Sequence, residues 1–510
     1  MQDYGNYKWK IKKMNKWFKK KYLTKYLIIA IILLGAVLRF YNFPNRYSMG
    51  EETVRDAVIG IEGARELQLP LTGSFSSLGS FTFGPWYAYQ LAFFYLLIPN
   101  VYSPFLYLTL ISVLYIFIMY RIGVLLDGEV FGLLLAFVAA ISPTQIISAT
   151  HLTSHNNTNL FAALTIWIFL KIIVKKISRW WGFFLGLAIG IGMNLHFQMS
   201  GLLFLPLLFL VIKQKRFYFL TAAAGVFVAF IPLLIFELNN HWFTTRNLFI
   251  YITYSKNAVY VPNRWLFYLR DFWPAFWGDA LGIPPLVAGL IIAAFLVLFA
   301  FKAYKRKISQ PLLFLFVAFV FEFILLRYYW GPRFFGYLNY FRPFVFIFTI
   351  FVIAELIKLV KDKRLKPAIG ILFFGGIIFF SLPRVVSELH IDPYTAQIKK
   401  NLLVLMDKYP GKSFALYTCS PKYSSTYNSS AFTTLFLLES KHLFNANSPL
   451  KLGIKSKCKY PQSNLGNIQE SGDIADLSQF QKADLKSNWT SLSFTDMYNS
   501  YARWWFRLQP

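Results

Sequence analysis

The sequence predicts an all-α polytopic membrane protein, about eleven transmembrane helices followed by a small extracytoplasmic α/β domain. Three observations predict it. Of 510 residues, 56% are hydrophobic and only 15% are charged, whereas roughly a quarter are charged in soluble domains. Runs such as 130–150 and 280–301 contain no Asp, Glu, Lys or Arg, and either is long enough to cross a hydrocarbon core of ~30 Å at ~1.5 Å per residue. The net charge of +29 sits in short clusters between apolar runs, which is the charge pattern of membrane topology and argues against a nucleic-acid partner.

Taken in order, the chain opens with nine lysines between Lys8 and Lys25, then an apolar run ending at Leu38-Arg39-Phe40-Tyr41. A basic region before an apolar run resembles a signal peptide, but no small-residue cleavage site follows. It reads as an uncleaved first span with a cytoplasmic N-terminus in the cell membrane. Twelve apolar segments then appear: 24–41, 83–99, 102–120, 130–148, 157–174, 180–195, 198–212, 217–236, 281–301, 309–326, 343–357 and 367–383. Basic connections at Lys171–Arg179, Lys213–Arg216, Lys302–Lys307 and Lys361–Lys366 are cytoplasmic by the positive-inside rule. Parity then leaves no crossing for 83–99, which carries Pro85 and Gln90. It is expected to lie in the interface within one outer loop, 42–101. The alternative is that 83–99 spans and the rule fails once. A transmembrane domain over 1–385 and an outer domain over 386–510 follow, the second richer in Ser, Asn, Lys and Asp. Cys419 and Cys458, the only cysteines, either pair there or remain thiols. There is no internal repeat.

Ionisable residues are nearly absent from mid-span positions, Glu322 being the main exception, and polar residues gather at the outer span ends. Glu51 and Glu52 open a helix expected over about 51–67, where acids suit the helix dipole. They either serve that capping role or supply a general base and metal ligand. A second polar segment holds His151, His155, Asn156 and Asn157, with His196 and Gln198 further on. The two histidines share a metal only if 151–155 is helical. The loop 238–280 adds Arg246 and Arg264 among aromatics, and 327–343 adds Arg333, Tyr337 and Arg342. Such arginines bind a phosphate in two-pronged fashion or anchor the interface.

Leu38-Arg39-Phe40-Tyr41 ahead of an acidic pair, and Gly84-Pro85-Trp86-Tyr87-Ala88-Tyr89 ahead of an apolar helix, resemble the GT-C glycosyltransferases over about 20–385. The nearer likeness is to the branch of protein O-mannosyltransferases and lipid A aminoarabinose transferases. The resemblance implies an enzyme that moves a sugar from a polyprenyl-phosphate donor to an acceptor protein, lipid or glycan on the outer face. It places the catalytic carboxylate at Glu52, by spacing to Arg55, with Glu51 beside it. Where the family usually has Asp, this chain has Glu. Arg55, His155, Asn156, Arg246, Arg264, Arg333, Tyr337 and Arg342 are the substrate-binding candidates, and Glu52 would carry a divalent cation (Mg or Mn) if one is used. A lipid or polysaccharide flippase and a non-catalytic scaffold are the rival readings. No glycine-rich phosphate loop points to a nucleotide.

Overall fold

The computed structural model describes residues 22–76, 79–254, 264–328, 333–362, 364–418, 429–454, 470–471, 474–478 and 489–499. Cys419 and Cys458 lie outside them. Eight helices are long and apolar enough to cross a membrane by length and composition: α1 (Tyr22–Phe40), α4 (Ser103–Asp127), α7 (Ser154–Val174), α10 (Arg216–Asn239), α14 (Pro285–Tyr304), α15 (Gln310–Arg327), α16 (Arg342–Leu359, with a preceding 3-10 turn) and α17 (Leu365–Glu388). Three shorter apolar helices, α5 (Glu129–Ile141), α8 (Trp180–Leu195) and the run Phe197–Val211, which ends in α9 (Phe204–Val211), fall where the sequence reading has its other three spans. The protein is a multi-pass membrane protein.

Two stretches depart from that reading. The segment 130–148 is not one helix; it breaks at Ser142 into α5 and α6 (Pro143–Ser148). Pro143 has no N–H for the helix ladder and its ring clashes with the preceding turn, so the chain restarts with Pro at the first helical position. Ser142 Oγ donates to the Ala280 carbonyl at 2.7 Å, which fixes the break against a neighbouring helix. The described residues of the loop 238–280 are mostly helical: α11 (Phe243–Tyr254), the single turn α12 (Arg264–Leu266) and α13 (Trp273–Leu281). Glu237 ties the start of α11 to the end of α10 by accepting from the Thr244 and Thr245 amides, each at 2.8 Å.

The arginine of the Leu38–Tyr41 motif is a brace. Arg39 is buried, and its guanidinium donates to the carbonyls of Gly35, Ala139 and Ala140, each at 3.0 Å, and to Ser112 Oγ at 2.7 Å. It thus satisfies carbonyls near the end of α5 that lack intrahelical partners while pinning α1 to α4.

Between α1 and α4 the chain forms α2 (Glu51–Arg65), a short antiparallel pairing through Phe75 and Thr82, and α3 (Trp86–Leu97). Helix α3 has 12 residues, about 18 Å at ~1.5 Å per residue, too short for a full crossing. Gly60 lets α2 approach it closely, because a Cβ there would lie 2.5 Å from Leu91 Cβ. Beyond α17, α18 (Pro393–Lys408) leads into a five-stranded sheet with order β3-β4-β2-β1-β5. Strands β1 (Ala415–Thr418) and β2 (Lys451–Ile454) are parallel, with α19 (Ser429–Ser440) between them in sequence. The antiparallel members are β3 (Glu470–Ser471), β4 (Ile474–Asp476) and β5 (Thr490–Leu492). One apolar core joins the C-terminal residues to the segment between α1 and α4: Val54, Val58 and Ile61 of α2 pack in the same cluster as Phe432, Leu435 and Phe436 of α19.

Candidate functional site

At the end of the bundle that carries α2, the helix ends enclose a cavity of about 790 Å³, within the range of small-molecule sites. Its walls come from the first turns of α2, the 74–83 hairpin, α6 and the turn after it, the junction of α8 with the 3-10 turn Phe197–Leu203, α11, and the 3-10 turn Phe335–Phe341 leading into α16. Pro143 contributes directly: the break at Ser142 swings α6 so that Thr144, Ile147 and Ser148 face the cavity.

On the α2 wall stand Glu52, Arg55 and Asp56. The i, i+4 spacing sets Glu52 and Asp56 on one face. Asp56 is buried and takes two contacts from Arg55, 2.8 Å from Nε and 2.7 Å from Nη2. Burial nonetheless lifts its carboxyl to about 6, with Arg55 pulling the other way. Glu51 is half-buried and is not among the lining residues; burial raises its carboxyl, Arg55 opposes this, and Glu52 adds to it.

A second wall carries two arginines around one carboxylate. Buried Arg342 sits in the first turn of α16 and donates to the Thr144 carbonyl at 3.2 Å and Ser148 Oγ at 3.1 Å; its Nη2 lies 3.7 Å from Asp279. Arg384 of α17 reaches the same Asp279 at 2.8 Å. Two cations on one anion leave this wall net positive. The buried Arg342 Nε has no partner among the described residues, a state that costs about 1–3 kcal/mol or more for a charged group.

The third part is neutral. His196 stacks on Tyr337 at 4.8 Å and on Phe83 at 5.3 Å, forming a three-ring pile. The pile is assembled by Gly84, whose amide donates to the Asn194 carbonyl at 3.0 Å and whose missing Cβ would lie 1.6 Å from Asn194 Oδ1. Burial drops the His196 imidazole to about 4, so the ring is neutral at physiological pH. His155 packs edge-on to Tyr337 at 5.9 Å and hydrogen-bonds Thr153 Oγ1 at 3.2 Å. Buried Asn339 donates to Asn156 Oδ1 at 2.9 Å and to the His155 carbonyl at 3.2 Å. Asn339 Oδ1, His196 Nδ1 and Gln198 Oε1 are buried without partners among the described residues.

Of the residues singled out in the sequence, the cavity gathers Glu52, Arg55, His155, Asn156, Tyr337 and Arg342. It does not gather Glu51, Arg246, Arg264 or Arg333. Arg246 is exposed on α11, Arg264 donates to the Arg327 carbonyl at 3.2 Å, and Arg333 donates to Tyr268 Oη at 2.8 Å while lying over that ring. Helix α7 begins at Ser154 after an extended Thr153, so His151 and His155 do not share a helical turn. Among the described residues no group of three or more His, Cys, Asp or Glu side chains gathers as a metal set. Arg384, Asp56, Asp279 and Asn339 were not singled out as site residues. Arg384 lies at the tail of the last apolar run, and only its Pro383-Arg384 break in an uncharged stretch marked it.

The family model of dolichyl-phosphate-mannose-protein mannosyltransferases matches residues 83–236. The solved ArnT of Cupriavidus metallidurans in its apo state overlays with a TM-score of 0.58 at 10% identity, over 88% of this chain and 97% of that one. The same protein bound to undecaprenyl phosphate overlays at 0.54 and 10% identity, over 90% and 97%. The fold is that of the GT-C glycosyltransferases. The resemblance to that superfamily is borne out by the fold and by the family match, which takes in Gly84–Tyr89. The apo oligosaccharyltransferase of Archaeoglobus fulgidus overlays at 0.48 and 14% identity, over 85% of this chain and 65% of that one. No curated protein matches the sequence. On this fold the cavity lies where the segment between α1 and α4 meets the ends of the long helices, and α2 supplies its acidic wall.

Proposed function

We propose that the chain is a glycosyltransferase that moves a sugar from a polyprenyl-phosphate donor to a hydroxyl acceptor on the outer face of the membrane, with residues 1–385 as the membrane domain, 386–510 as the outer domain and the N-terminus in the cytoplasm. The observation that carries this reading is one cavity with carboxylates on the α2 wall and the Arg342–Asp279–Arg384 cluster on another. The ArnT of Cupriavidus metallidurans is solved with undecaprenyl phosphate, and a lipid phosphate of that class suits a net-positive wall whose arginines present planar donors.

In the proposed step Glu52 accepts the acceptor hydroxyl proton as the oxygen attacks the anomeric carbon from the face opposite the phosphate. The new C–O bond forms, the sugar–phosphate C–O bond breaks with its electron pair passing to the phosphate oxygen, and the anomeric configuration inverts. Arg342 and Arg384 stabilise the charge that develops on the departing phosphate. Asp56 holds Arg55 beside Glu52, within reach of the acceptor. No step is routed through a metal, since the residues beside Glu52 do not assemble a ligand set.

The test is to incubate the purified protein in lipid with a panel of polyprenyl-phosphate sugars and read donor consumption by mass spectrometry. Turnover that disappears when Glu51 and Glu52 are both replaced by Gln, with normal membrane insertion, supports the reading. Retained turnover removes both as the base, and no turnover of any donor by the unaltered protein defeats the transferase reading.

A further inference from the structure

The neutral part of the cavity discriminates between classes of donor sugar, an inference that rests on the polyprenyl-phosphate reading above. We infer that the Phe83–His196–Tyr337 ring pile, with Gln198 and Asn339 beside it, is the sugar subsite, and that it takes an uncharged hydroxylated monosaccharide in preference to an amino sugar or a uronic acid.

The first ground is the chemistry of the orphaned atoms. Asn339 Oδ1, His196 Nδ1 and Gln198 Oε1 are buried, line the cavity, and have no partner among the described residues. Asn339 is 0% exposed and His196 8%. Two of the three are amide oxygens, which only accept; a neutral imidazole nitrogen donates or accepts according to tautomer. A sugar hydroxyl does both, so one ring of hydroxyls satisfies all three without any ionised partner.

The second ground is the disposition of charge. A sugar ammonium needs a carboxylate, but Asp56 is engaged by Arg55 at 2.7 Å and Asp279 by Arg384 at 2.8 Å. Glu52, the remaining lining carboxylate, stands on α2. A uronate needs a cation, and the arginines lining the cavity, Arg55, Arg342 and Arg384, stand against those same carboxylates. The ring pile itself is uncharged, because burial keeps His196 neutral. Its flat stacking, with interplanar angles of 28° and 26°, presents ring edges and a face of the kind that packs on the C–H side of a pyranose.

Two measurements on the full chain in lipid vesicles test this. Binding and consumption are followed for short polyprenyl phosphates carrying a neutral hexose, a 4-amino pentose or a glucuronate, and for the bare polyprenyl phosphate. The expected result is a kcat/KM at least ~100-fold higher for the neutral donor than for either charged one, a floor set below the ~10⁴–10⁵ that a polar site reaches when its buried groups are left unpaired. Equal or better use of a charged donor overturns the inference. Gln198→Ala and His196→Ala are expected to weaken neutral-donor binding about tenfold, roughly one lost buried hydrogen bond, with bare-lipid binding unchanged. An equal loss for both ligands overturns it, since the pile then serves the phosphate or merely the fold. Selective binding of the neutral donor with no turnover keeps the subsite and defeats the transferase reading instead.

Discussion

Helix α16 carries two charged ends in very different settings. At its start Arg342 is buried, lines the cavity, is held by Thr144, Ser148 and Asp279, and has an Nε with no partner among the described residues. At its far end, about 24 Å away at ~1.5 Å per residue, Lys358 pairs with Asp127 at 2.8 Å and Glu355 at 3.1 Å, and Lys302 with Glu355 at 2.7 Å. Lys358 and Asp127 are both about half exposed. Solvated pairs are worth little and their loss is tolerated. A buried guanidinium with spare donors is costly to keep unless something anionic completes it. The contrast separates a structural end of the bundle from a working one.

The largest expected effect that would break this contrast lies at Glu52. Glu52→Gln should lower turnover by ~10²–10⁴, the usual yield of a positioned base, with membrane insertion unchanged; steady-state donor consumption reads it. Next comes Arg342→Ala, expected to cost about 10²-fold in turnover, in line with removal of one preorganised donor, and to weaken bare polyprenyl-phosphate binding. If Arg342→Ala binds and reacts normally, the working end has been misplaced. Gly84→Ala should destabilise the fold by about 1–3 kcal/mol through overpacking against Asn194, seen as a lower midpoint in thermal unfolding.

Asp56 sharpens the comparison through pH. Its folded pKa is raised from 3.8 to about 6, so it favours the folded state fully below about 3.8, and that contribution is lost as pH rises through about 6. Activity runs the other way: protonation loosens the Arg55 contact, so turnover should fall on an acidic limb near pH 6, and Asp56→Asn should erase that limb. The smallest effect belongs to the other end, where Lys358→Ala should change stability by no more than about 1 kcal/mol and leave turnover untouched.

Much of this architecture was legible in the sequence because a bilayer imposes long uncharged runs and basic flanks that survive as simple patterns. The first turn of α2 was legible as well, since adjacent Glu51 and Glu52 after a span are conspicuous. The arginines were harder. Arg246, Arg264, Arg333 and Arg342 sit in similar aromatic surroundings, and only three-dimensional packing separates the one whose wall is Asp279 from those that meet a carbonyl, a tyrosine or solvent. Asp56 was hidden by its neighbour Arg55, which reads as an ordinary surface pair until its burial is known. The break at Ser142 was foreshadowed by Pro143, yet an apolar run on both sides masked it.

Helix α2 has two backs. One rests on α3, the other on α19, and the C-terminal residues also hold the extended segment before α2 and α2 itself: Thr433 Oγ1 donates to the Met49 carbonyl at 3.0 Å, Thr395 Oγ1 to the Tyr47 carbonyl at 3.4 Å, and Thr495 Oγ1 to Glu62 Oε2 at 3.0 Å. The helix of the acidic wall is therefore packed from two sides. Cutting the chain after α17 would uncover Val54, Val58 and Ile61 by removing Phe432, Leu435 and Phe436, so the C-terminal portion cannot be treated as a detachable passenger or exchanged for another without resetting where Glu52 points.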